Sequence, residues 1–163
     1  MAKTDSFFVR AKVDTNGTTY AQTSIDLGAY VDALGKSVLR IHNIVVRYGA
    51  PLATYAGAAN SNNTCAFQLT TQSQGALVDI VDKSVIASGV MAVSTAAVEV
   101  SMMNDSLDVA PQHWTNGYLV GVEQIYLGVD QTFDLFDQVE IILECTVETL
   151  SSSAAMALAL SQQ

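Results

Sequence analysis

The groups available for chemistry in this 163-residue chain are few: two histidines, two cysteines, one tryptophan, and sixteen carboxylates set against seven lysines and arginines. Catalysis by metal, nucleophile or base needs such groups at defined spacing. His42 lies in an apolar, β-branched run (residues 38–48) with no second histidine or cysteine at ligand spacing, so it reads as a core or interface histidine. His113 precedes Trp114 in APQHWTNG, a setting in which aromatic residues anchor a loop or an interface. HxH, HExxH, GxSxG, GxxxxGK and GxGxxG are all absent. Cys65 and Cys145 are far apart in the chain and sit inside strand-like runs, which excludes a CxxC site and favours buried free thiols over a disulfide.

The carboxylates offer one cluster, Asp130, Asp134, Asp137 and Glu140, whose oxygens suit Ca2+ in principle. The glycine and terminal glutamate of an EF-hand loop are missing, and Phe133, Leu135 and Phe136 point to a loop tied down by packing. Three glycosylation-type triplets begin at Asn16, Asn62 and Asn104, each in an expected turn, where Asn, Ser and Thr are common anyway. No catalytic, cofactor-binding or metal-ligating residue is therefore assigned. The expectation is a protein that is not an enzyme and carries no cofactor.

The elements around these residues are read from periodicity. In residues 139–148, Val139, Ile141, Leu143, Cys145 and Val147 share one face of a strand while Glu140, Glu144 and Glu148 share the other. Phe7, Val9, Ala11 and Val13 alternate with Phe8, Arg10, Lys12 and Asp14, and Asn16-Gly17 then predicts a hairpin into residues 18–27. Residues 38–48 change phase at His42-Asn43, the mark of a bulge. Residues 65–71, 85–93, 98–103 and 118–129 complete about eight strands. Helical spacing is confined to Leu77, Ile80, Val81 and Val85 and to the alanine-rich residues 154–160. Without interspersed helices a doubly wound α/β fold is excluded. The long connections at 49–63 and 104–116 favour a jelly roll over an up-and-down barrel. The expected architecture is all-β, an antiparallel eight-stranded β-sandwich of jelly-roll type spanning residues 1–151, with a C-terminal arm at 152–163.

Composition bounds the function. Only 14% of residues are charged, the net charge is −9 and the pI is near 4.3, which argues against direct nucleic acid binding. Six basic and four acidic residues lie in 1–47, against one basic and twelve acidic in the remainder, an asymmetry able to attract copies to one another. The longest apolar run, residues 154–160, falls far short of the roughly twenty a membrane helix needs. Residues 1–14 contain no continuous apolar segment of signal-peptide type, so export by the usual route is not expected. Low charge combined with many Ala, Val, Ser, Thr and Gln residues suits repeated subunit contact.

The succession SFFVRAKVDTNGTTYAQTSIDL, GKSVLRIHNIVVRYG, DKSVIASGVMAV, GYLVGVEQIYLGVD and VEIILECTVETLS resembles single jelly-roll major capsid proteins of icosahedral viruses of bacteria or archaea. That resemblance spans residues 6–151. It implies a structural subunit of the virion that self-assembles as a homo-oligomer into capsomers and a shell, in company with other capsid proteins and, in some members, against an internal viral membrane. The chain lacks the basic N-terminal arm of small RNA-virus capsid proteins, which sets direct genome packaging aside. Two other classes are weighed beside it: a secreted or cell-surface, lectin- or adhesin-like sandwich binding sugar through Tyr55, Trp114 and Tyr118, and a cupin-type enzyme, which needs a clustered His/Glu set that two isolated histidines do not supply.

Overall fold

A computed structural model describes residues 3–32, 36–52, 59–97 and 99–163. Among them are nine strands: β1 (Phe7–Asp14), β2 (Ala21–Asp26), β3 (Ser37–Tyr48), β4 (Asn62–Thr70), β5 (Val85–Ala96), β6 (Glu99–Val109), β7 (Tyr118–Val120), β8 (Gln124–Gln131) and β9 (Gln138–Thr149). A 3-10 turn at Pro111–His113 and a C-terminal helix, α1 (Ser152–Ser161), complete the elements. The strands form two sheets, β1-β9-β3-β7 and β2-β8-β4-β5-β6, and every pairing is antiparallel. The first strand lies beside the last, and the chain passes repeatedly from one sheet to the other. That winding is a jelly roll.

The facing surfaces are made by the alternation itself. Leu39 and Ile41 of β3, Phe67 and Leu69 of β4, Ile125 and Leu127 of β8, and Ile141 and Leu143 of β9 meet between the sheets with at most 1% of their surface exposed. On β3 the register slips between Ile41 and Asn43 against β9, so the expected bulge is present at His42. Without it, Ile44 and Tyr48, both buried, would face outward.

Four expectations change. Asn16-Gly17 does make a turn, but it carries the chain between sheets: β1 pairs with β9 and β2 with β8, so they form no hairpin. The stretch 118–129 is two strands in different sheets, separated where Gly121 lies against Leu158 and Ala159 of α1. Residues 104–109 extend β6 instead of starting a loop, so Asn104 lies in a strand; Asn-Asp-Ser composition reads as a turn until β5 supplies a partner across from it. Residues 77–84 run through irregular chain and turns before Val85 opens β5, because the Gln68 amide takes both the N–H and the C=O of Val78 and the Asp82 carboxylate takes the Ser84 N–H and hydroxyl.

The tail folds back on its own sandwich. Ser151 caps α1 by accepting from the Ala154 N–H, and Ala155 and Ala159 are buried against the body. Gln162 then closes the edge of β7: its Oε1 accepts from Gly121 N at 2.8 Å and its Nε2 donates to Leu119 O at 2.7 Å, as an added strand would.

Leu143 is fully buried, so Leu143→Ala leaves a cavity in the core and should lower stability by about 2 to 5 kcal/mol in denaturant unfolding. Gln162→Ala should cost about 1 to 3 kcal/mol, since it strands the buried Gly121 N–H and the partly buried Leu119 C=O; hydrogen exchange at Gly121 should rise more than at β9.

Candidate functional site

The chemistry-bearing residues fall into four separate places. Cys65 in β4 and Cys145 in β9 are free and fully buried, and burial pushes both thiols up to about 12, so neither supplies a thiolate. Asp130, Asp134 and Asp137 are each engaged separately, at Gln131 N, Gln131 Nε2 and Ala50 N. Their loop is held by the Gln131 amide, which accepts from Leu135 N and Phe136 N and donates to Gly17 O and Phe136 O. Leu135 and Phe136 are buried, as expected of a loop fixed by packing. Among the described residues no group of three or more His, Cys, Asp or Glu is placed to hold a metal ion.

The third place lies on the outer face of the β1-β9-β3-β7 sheet. Arg40 forks onto Glu148 across the strands, Nε to Oε1 at 2.6 Å and Nη2 to Oε2 at 2.7 Å, and its Nη1 donates to Asn116 O at 2.5 Å. Lys3 stands 4.0 Å from the same carboxylate. Glu148 lies on the strand face expected to meet water or a partner, yet it is only 5% exposed, because the N-terminal segment bridges to it and Arg40 ties it to the loop before β7. Arg40 holds its carboxyl below the ordinary 4.5 against the opposing effect of burial. His42, at the bulge, meets Thr146 Oγ1 at 2.9 Å, and its pKa is lowered by burial first, then by Lys3, with Arg40 adding and Glu144 and Glu148 opposing.

The loop bearing His113 crosses the same strand. Gln112 pairs its amide with both Ile44 N and Ile44 O at 3.1 Å, and Gly117 passes so close to Ile41 that a Cβ there would sit 2.2 Å from the Ile41 carbonyl oxygen. With φ at +63°, only glycine fits. Arg40, His42, Thr115, Asn116, Lys3 and Glu148 together line a polar cleft of about 430 Å3. Its one carboxylate and its arginine are bonded to each other, so the pair acts as a structural clamp, with the His42 imidazole held beside it on Thr146 Oγ1.

The fourth place is a larger, mostly apolar cleft of about 700 Å3 beneath α1, lined among others by Ile80, Val81, Trp114, Tyr118, Leu158 and Gln162. Trp114 is 55% exposed at its rim and Tyr118 is half-buried, so two of the three aromatics named for sugar contact come together; Tyr55 lies outside the described residues.

No family profile and no curated protein matches this sequence. Among solved structures, the chain is similar to an unassembled VP1 pentamer subunit of Washington University polyomavirus, with 10% identity over 88% of this chain and 93% of that one and a TM-score of 0.47. Similarity extends to Desmodium yellow mottle tymovirus, with 9% identity, 88% and 86% coverage and a TM-score of 0.32. It also extends to a legume lectin-like domain from Entamoeba histolytica, with 9% identity, 88% and 90% coverage and a TM-score of 0.25.

Both perturbed groups of the clamp destabilise the fold on acidification. A lowered folded pKa means the unfolded chain binds the proton more readily, so stability falls first as pH drops through 6.5 for His42 and again below 4.5 for Glu148. Thermal unfolding followed from pH 8 to pH 3 should show both declines; His42→Gln should remove the first and Glu148→Gln should flatten the second while lowering stability at neutral pH.

Proposed function

We propose that the protein is the structural subunit of a viral capsid, present in the virion, assembling with copies of itself and with other capsid proteins, and performing no catalysis. The observation that carries this reading is the surface. Jelly-roll sandwiches serve as capsid, lectin and cupin domains, and what separates these uses is what lies outside the core. Here, among the described residues, exposed apolar side chains include Phe8 and Val45 on β1 and β3, Met102 on the edge strand β6, Leu52, Val81 and Trp114 in turns and loops, and Leu160 on the tail helix. Apolar groups placed on strands, loops and tail of a charge-poor domain suit a subunit with more than one neighbour.

No helix among the described residues is long and apolar enough to cross a membrane, so contact with an internal membrane would run through exposed residues such as Met156 and Leu160 of α1. A second reading, a sugar-binding module, rests on Trp114 at the rim of the cleft beneath α1.

Sedimentation velocity and negative-stain micrographs of the purified protein, over a range of salt and concentration, test the assignment. Capsomers or closed shells are the expected outcome. A monomer at high concentration under every salt condition would overturn it, and retention of that monomer on immobilised glycans, abolished by Trp114→Ala, would establish the second reading instead.

A further inference from the structure

The two sheets differ by one strand, and the extra strand is β6. It hydrogen-bonds only to β5 among the described strands, and its other edge is open. Residues 102–106 are exposed at every position, so both faces of the strand lack a covering layer there. Met102 is 60% exposed and Met103 lies beside it, followed by the exposed Asp105 and Asp108. Neither β5 nor β6 contains a lysine or arginine to neutralise these carboxylates. A long, uncovered, methionine-bearing edge is what monomeric proteins avoid.

The opposite side of the sandwich is the complement. There the edges of β1 and β2 border a cleft of about 490 Å3 lined by Phe8, Arg10, Lys12 and Tyr30, and on the β2 side by residues 23–26, including the carboxylate Asp26. Phe8 is 55% exposed. Lys12 is ion-paired with Asp14 on its own strand at 3.1 Å, whereas Arg10, opposite Ile142 in β9, makes no salt bridge among the described residues. Its guanidinium rests 5.7 Å from the Phe8 ring centre. Both edges thus present an apolar side chain and, two residues on, a charge: Phe8 then Arg10, Met103 then Asp105. In extended chain the two members of each pair are roughly 7 Å apart.

We propose that β6 of one copy docks along the β1 edge of the next, Met103 on Phe8 and Asp105 on Arg10, and that this head-to-tail contact is the one that builds the capsomer ring. The surfaces are different on the two partners, so the contact repeats around a ring where an isologous contact would stop at a dimer. This inference rests on the capsid reading and names the partner surface within it.

The test uses the full chain and exposed positions only. Arg10→Glu and Asp105→Arg should each lower the association constant about tenfold or more in sedimentation equilibrium, with unchanged circular dichroism and melting temperature. The doubly reversed chain, carrying both substitutions, should regain assembly. Assembly of the wild type with no effect of either single reversal, or no recovery in the double, would overturn this contact and leave the capsid reading standing; a wild type that never assembles overturns both.

Discussion

Every backbone N–H and C=O taken out of water must find a partner, and a two-sheet sandwich makes that hard at its strand edges and chain crossings. This chain has few charges to spend there and uses neutral glutamine amides, which donate and accept at once. Gln162 completes the edge of β7, Gln112 completes β3 beyond the reach of the three-residue β7, Gln68 holds Val78, and Gln131 holds the loop before β9. Each amide sits where an ordinary strand or helix partner is missing. The fold depends on them because the short β7 cannot itself cover the twelve-residue β3.

The same economy explains the sheet's outer face. Basic residues of β1 and β3 alternate with glutamates of the intervening β9, giving rows such as Lys12, Glu140 and Arg47 across three strands. Charge is largely cancelled within the face, and the pair most removed from water, Arg40 with Glu148, is also the best bonded. Buried ion pairs of this kind seldom add much stability, but removing one partner leaves a charge without compensation. Here the pair pins the N-terminal segment and the loop before β7 onto one strand junction.

Beyond this face, β6 carries Asp105 and Asp108 with no lysine or arginine on it or on β5, while β1 carries Arg10 and Lys12 beside Asp14. Apolar side chains accompany these charges on both strands. Burial of such edges contributes the larger part of an association energy, while the charges set orientation and partner choice.

Alternation along 139–145, the phase change at His42-Asn43, the alanine-rich helix and the buried thiols were legible in the chain, because each depends on a residue and its near neighbours. Pairing was not. Asn16-Gly17 specifies a turn but not whether the strands on either side share a sheet, and residues 104–109 read as loop until β5 lies alongside. Glu148 follows the outward parity of its strand, yet it is buried, since Arg40, Lys3 and the loop before β7 arrive from elsewhere in the chain. Gln162 reads as a polar terminus and becomes the cap of a strand edge more than forty residues away. Local periodicity determines which side of a strand is apolar; only the tertiary structure decides what covers the other side, because the groups that do so are brought together by loop paths whose closure entropy depends weakly on their length or composition.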